Sequence, residues 1–105
     1  MKIAVATTDK ITVNEHFGRT ENFSIFVITS DGPVKVEEVR VEPLSTGDKN
    51  HPFDKERFQS IAEALKGCER VYVTKIGERP AAELKKIGIE PVVSQGEISS
   101  IGPEI

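Results

Sequence analysis

The sequence has no tryptophan, one tyrosine and one cysteine in 105 residues. A single cysteine, Cys68, excludes an internal disulfide and any cysteine-only metal site built from one chain. Long hydrophobic runs are also missing. Outside the turns, the longest stretch without a charge runs from Asn22 to Ser30, far short of the about 20 residues a spanning helix needs. Nor is there an excess of positive charge. Fourteen Lys and Arg stand against 17 Asp and Glu, and a formal net charge of −3 offers no general attraction to nucleic acid or anionic lipid. The chain opens Met1-Lys2 directly into alternating apolar residues without signal-peptide anatomy. A cytoplasmic protein is expected, with no nucleic-acid partner and no membrane partner, folded as one domain over residues 1–105.

What is present is clear alternation and one clear helical period. Lys2 to Ala6 alternates Ile3 and Val5 with two small apolar residues, which predicts a short central strand covered on both faces. Thr7 to Glu21 has no period and is expected to be a long, mobile loop. Asn22 to Ser30 is rich in β-branched and aromatic residues and predicts the best strand. Asp31-Gly32-Pro33 signals a turn, and Val34 to Val41 alternates with a phase slip at Glu37-Glu38, as a hairpin with a bulge near Glu37 would. After a second loop, Pro43 to Pro52, the residues Phe58, Ile61, Ala62 and Leu65 fall on one helical face that ends at Gly67. Arg70 to Lys75 predicts a buried strand. Pro80 to Lys86 predicts a second helix with Gly88 after its end, and Ile89 to Val93 an edge strand. Ser94 to Ile105 is polar, with room for one helical turn at Glu97 to Ile101. The order β, β, β, α, β, α, β predicts a mixed α/β sheet.

Connection type also fixes which end of that sheet carries chemistry. A hairpin reverses strand direction and a helical crossover preserves it. Both long loops, both histidines and both helix N-termini therefore share the strand-top end, where open α/β sheets bind ligands. Cys68 falls at the other end, as a small buried residue. At the top, His16-Phe17-Gly18-Arg19 combines an imidazole, a glycine that permits close approach and a guanidinium fork. The plainer alternative is a loop in which Phe17 plugs the core edge and Arg19 pairs with an acid. His51 precedes a helix and either caps it or points at the same cleft. Gly77 opens the second helix as a phosphate-type turn would, with Lys75 and Arg79 as a basic rim, yet no Gly-Lys-Ser/Thr or GxGxxG is present. There is no nucleophile elbow, and the central strands carry no carboxylates for metal-assisted hydrolysis.

The strand, the HFGR loop at 16–19, the aromatic strand, Leu65-Lys66-Gly67-Cys68 and then VYVTKIGERPAAELKKIGIEPV at 71–92 occur in that order. Together they resemble the dinitrogenase iron–molybdenum cofactor family, of the NifX and NifB C-terminal-domain type, over roughly Met1 to Val93. The resemblance implies a ribonuclease-H-like three-layer α/β/α fold, with a mixed five-stranded sheet of order 3-2-1-4-5 and strand 2 antiparallel. It also implies a small non-enzymatic carrier of an iron–sulfur-type metallocluster, either iron–molybdenum cofactor or a precursor, passed between donor and acceptor proteins. His16 becomes the expected metal ligand, with Phe17, Gly18, Arg19, His51 and Gly77 as cofactor-binding residues and the chain a monomer or weak homo-oligomer. One alternative is a protein-interaction module of the same fold without a cluster. The remote one, a ribonuclease-H-like nuclease, fails on the missing strand carboxylates and the negative charge.

Overall fold

A computed structural model describes residues 1–44 and 54–101. Seven strands and two α-helices are present among them: β1 (Lys2–Ala6), β2 (Thr12–Val13), β3 (Asn22–Thr29), β4 (Gly32–Arg40), α1 (Lys55–Ala64), β5 (Arg70–Val73), α2 (Glu78–Lys86), β6 (Glu90–Val93) and β7 (Gly96–Glu97). A 3-10 turn, Ile98–Ser100, follows β7. Five strands form one mixed sheet in the order β4-β3-β1-β5-β6, and β2 pairs with β7 in a separate two-stranded ribbon. β3 is antiparallel to both β1 and β4, whereas β5 runs parallel to β1 and β6 parallel to β5.

Local chemistry accounts for the main joints. The β3–β4 turn is held by the Thr29 hydroxyl, which donates to the Gly32 carbonyl (2.9 Å), and Gly32 sits at φ +110°, where a side chain would be strained. Ile25 pairs with Glu37 and Phe26 with Lys35, leaving Val36 as the extra residue of a bulge. That bulge is the source of the phase slip in the valine pattern. α1 begins on Asp54, whose carboxylate accepts the Arg57 N–H (3.0 Å). The Arg57 guanidinium then donates to the Pro43 carbonyl (2.8 Å), tying the start of the helix to the chain leaving β4.

The sheet buries both faces, but with different material. On one face Phe58 and Ile61 of α1, its C-cap Leu65 and Leu84 of α2 share a cluster with Ala4, Ala6, Phe23, Ile25, Val71 and Val73. On the other, Ile3, Val5, Phe26 and Tyr72 are covered by Val13, Ile98 and the half-buried Ile101. The three-layer α/β/α expectation is corrected here: among the described residues both helices lie on one face, and the second cover is a ribbon and a 3-10 turn. The reason is geometric. The β4-to-β5 and β5-to-β6 crossovers advance in the same direction across the sheet, and right-handed crossovers that advance alike place their helices alike. The small Ala4 and Ala6, both fully buried, line the face the helices cover.

Candidate functional site

Residues 7–21 are more firmly tied than a loose receiving loop. Asp9 organises the first half: its carboxylate accepts from the Thr12 and Ile11 N–H groups (both 2.8 Å) and from the hydroxyls of Thr12 (2.7 Å) and Thr7 (3.1 Å). Those donors, the Thr12 backbone first, hold the Asp9 carboxyl well below the usual carboxylate range. Asp9 is thus committed to shaping the loop around Lys10, which adopts φ +65°. Thr8 and Asn14 bond each other across the same turn: the Thr8 N–H and the Asn14 amide each donate at 2.8 Å.

The HFGR segment is held by β5. The Thr74 N–H donates to the Glu15 carbonyl (3.0 Å) and the Phe17 N–H to the Lys75 carbonyl (2.9 Å), so His16 pairs with Lys75 in a parallel bridge. The His16 carbonyl then accepts from both Arg19 and Thr20 N–H (3.1 Å each), which closes one tight turn. Phe17 enters the core with no exposed surface, its ring 5.9 Å from Phe23 and 6.5 Å from Phe58. The bridge sets the backbones of half-buried His16 and exposed Lys75 side by side.

Gly77 follows two residues after Lys75 and caps α2 without any side-chain bond. Its φ of −72° suits any residue, and a Cβ there would only touch the Pro80 ring at 3.4 Å. Nothing in the chain itself demands glycine at this position. What glycine provides is open access to the positive end of α2. Glu78 in the first turn partly offsets the charges of Lys75 and Arg79.

Of the expected site residues, the structure brings His16 and Gly77 to one rim, through Lys75. Phe17 is corrected from a cofactor contact to a core residue, because a side chain with no exposed surface reaches no ligand. Gly18 lies in the turn itself. Arg19 is exposed, but it lines a separate cavity of about 270 Å³ with Thr7, Thr8, Glu15, Thr20, Glu21 and Asn22. Glu15 and Glu21 line the same cavity, whereas Lys75 is the cationic residue whose backbone pairs with that of His16. His51 lies outside the described residues. Cys68 is at the far end, 6% exposed, with burial pushing its thiol up. Among the described residues no group of three or more His, Cys, Asp or Glu is placed to hold a metal ion. A multi-ligand metal centre does not fit the described residues.

Residues 1–102 match the family described as "Dinitrogenase iron-molybdenum cofactor". The chain is 37% identical over 90 residues to the FeMo cofactor biosynthesis protein NifB of Herbaspirillum seropedicae, covering 86% of this chain and 17% of that one. It is 32% identical over 93 residues to Protein NifX of Sinorhizobium fredii, covering 88% of this chain and 58% of that one. The chain therefore spans only part of each of these relatives. Among solved structures, that of PH0822 superposes with a TM-score of 0.67 at 28% identity, covering 94% of this chain and 84% of that one.

Proposed function

The chain belongs to the dinitrogenase iron–molybdenum cofactor family, and on that premise we propose that it is a carrier, not a catalyst, for an iron–sulfur-containing metallocofactor or its precursor. The cargo is received at the rim formed by His16, Lys75 and the Gly77 end of α2, and passes between a donor and an acceptor protein in the cytoplasm. The observation that supports this most directly is the His16–Lys75 bridge. It sets the backbones of half-buried His16 and exposed Lys75 side by side, and Lys75 stands three residues before the first residue of a helix whose N-terminus has no side-chain cap. One protein ligand gives exchangeable binding, which suits transfer. Arg19 adds positive charge at the edge of the loop without a place beside His16. The order β4-β3-β1-β5-β6, with β3 alone antiparallel, supports a ribonuclease-H-like origin for the sheet, its second helical layer reduced to a ribbon.

Anaerobic titration with isolated iron–molybdenum cofactor, followed by gel filtration and iron and molybdenum analysis, tests the proposal. The parent is expected to retain cofactor and His16→Ala to lose most of it, with unchanged circular dichroism. Lys75→Ala should weaken retention more than Arg19→Ala. Acidification should release the cargo, because proton and metal compete for the same imidazole nitrogen. A parent that retains no cofactor would leave the protein-interaction reading in its place.

A further inference from the structure

The segment after β6 leaves the main sheet and returns across its second face. The Ser94 N–H donates to the Val73 carbonyl (2.8 Å), and Gly96, at φ +113°, turns the chain into β7. There Thr12 pairs with Glu97 and Val13 with Gly96, and the Ile98 N–H donates to the Ile11 carbonyl (2.9 Å). Ile98 is 3% exposed, in one apolar cluster with Ile3, Val5, Val13, Phe26 and Tyr72. Among the described residues β7 is the one strand that pairs with β2, so this returning segment is what holds Val13 in a ladder. His16 follows Val13 by three residues.

We propose that residues 94–98 are a positioning strap: by pairing with Thr12–Val13 and seating Ile98 under the sheet, they hold the loop so that His16 stays in register with Lys75. The functional consequence rests on the reading of His16 as the cargo ligand, whereas the mechanical coupling does not. Among the described residues two ladder pairs, the Ser94 and Ile98 N–H bonds and one buried side chain secure the strap, fewer ties than hold the strands beneath it, so it opens more easily than they do. Opening would free His16 from its register and favour release of cargo.

Amide hydrogen exchange in the ligand-free full chain tests the coupling. The probes are the Phe17 and Thr74 amides, which donate the two bonds of the His16 bridge. Ile98→Asp should speed their exchange about tenfold, with the Ile25 amide of the central ladder unchanged and Ile98→Val close to the parent. Unchanged rates at Phe17 and Thr74 would overturn the strap. If Ile98→Asp loosens the whole sheet, the paired variant Thr12→Cys/Glu97→Cys decides, because facing residues of an antiparallel pair lie within disulfide reach. Oxidation should slow exchange at Phe17 and Thr74 relative to the reduced form, and equal rates would refute the coupling. In anaerobic titration with isolated iron–molybdenum cofactor, Ile98→Asp should bind about tenfold more weakly and Ile98→Val like the parent. Equal binding by Ile98→Asp would show that the strap does not position the ligand. A parent that binds no cofactor overturns the carrier reading, and the exchange rates alone then decide the strap.

Discussion

The two ends of the sheet make an instructive pair. Each has a cavity, about 270 Å³ at the strand tops and about 230 Å³ at the bottom, and among the described residues each has one histidine or cysteine, the types that ligate soft or borderline metals. At the bottom the side chain is Cys68, 6% exposed, its thiol pushed up chiefly by burial, with Glu37 adding to the rise and Lys2 opposing it. The cavity there is bordered by Lys66, Gly67 and Ile87, where α1 and α2 end. Helix C-termini present carbonyls and a negative potential. At the top the side chain is His16, half-buried, its backbone bridged to that of Lys75 two residues before the N-cap of α2. Thiolate is the better intrinsic ligand for an iron–sulfur cluster. Availability reverses the ranking: the protein withholds the thiol and presents the imidazole.

The largest expected effect comes from removing what anchors the top. Phe17→Ala deletes a fully buried ring that touches Phe23 and Phe58, and should cost about 3–5 kcal/mol in denaturant unfolding. A loss under 1 kcal/mol would mean that the HFGR segment is not seated as described. The second effect sharpens the comparison directly. His16→Ala should lower affinity for isolated iron–molybdenum cofactor roughly 100-fold with little change in stability. Cys68→Ala should leave affinity unchanged. The reverse pattern would place the site at the wrong end of the sheet.

Much of this was legible in the sequence, and the gaps have physical causes. The helical face Phe58, Ile61, Leu65 and the alternation of β1 and β3 carry period, so the α/β class and the long elements could be read. The bulge showed as a phase slip because Val34 and Val39 lie on opposite sides of it. Phe17 was ambiguous because a single residue in an aperiodic loop has no period to say which way it faces. Its burial is settled only in the fold, where the bonds Thr74 to Glu15 and Phe17 to Lys75 join residues 59 and 58 positions apart along the chain. The basic rim at Lys75 could be seen, but its pairing with His16 could not. The strap was invisible for a similar reason: two-residue strands such as Thr12–Val13 and Gly96–Glu97 are too short for periodicity. The helical turn expected at Glu97 to Ile101 is there as the 3-10 turn Ile98–Ser100, but that Ile98 covers the second face of the sheet shows only once both described helices are known to lie on the first.

A smaller effect probes what the glycine at the top is for. Gly77→Ala should leave the melting curve unchanged, since φ is −72° and the added methyl meets only the Pro80 ring. It should still weaken cofactor binding roughly tenfold, the equivalent of one charge-assisted hydrogen bond made longer. Unaltered binding would remove the helix N-terminus from the site and leave His16 and Lys75 alone.

The smallest effect concerns the withheld thiol, and it separates burial from chemistry at the bottom end. Burial raises the folded-state pKa of Cys68 above its unfolded value. At a pH between the two values the unfolded chain has lost the thiol proton and the folded chain keeps it. Stability therefore falls as pH rises, because the unfolded state binds fewer protons. The contribution is complete below the unfolded thiol pKa of about 8.5 and is lost as pH climbs through the folded value. The parent should thus show a decline in unfolding free energy above about pH 8.5 that Cys68→Ala lacks. Over the same range native-state alkylation of Cys68 should stay slow, since neither exposure nor thiolate is available until the protein opens. Parallel stability curves for parent and Cys68→Ala, or rapid alkylation at neutral pH, would mean that the thiol is open to ligands after all. The contrast between the two ends would then rest on helix polarity alone.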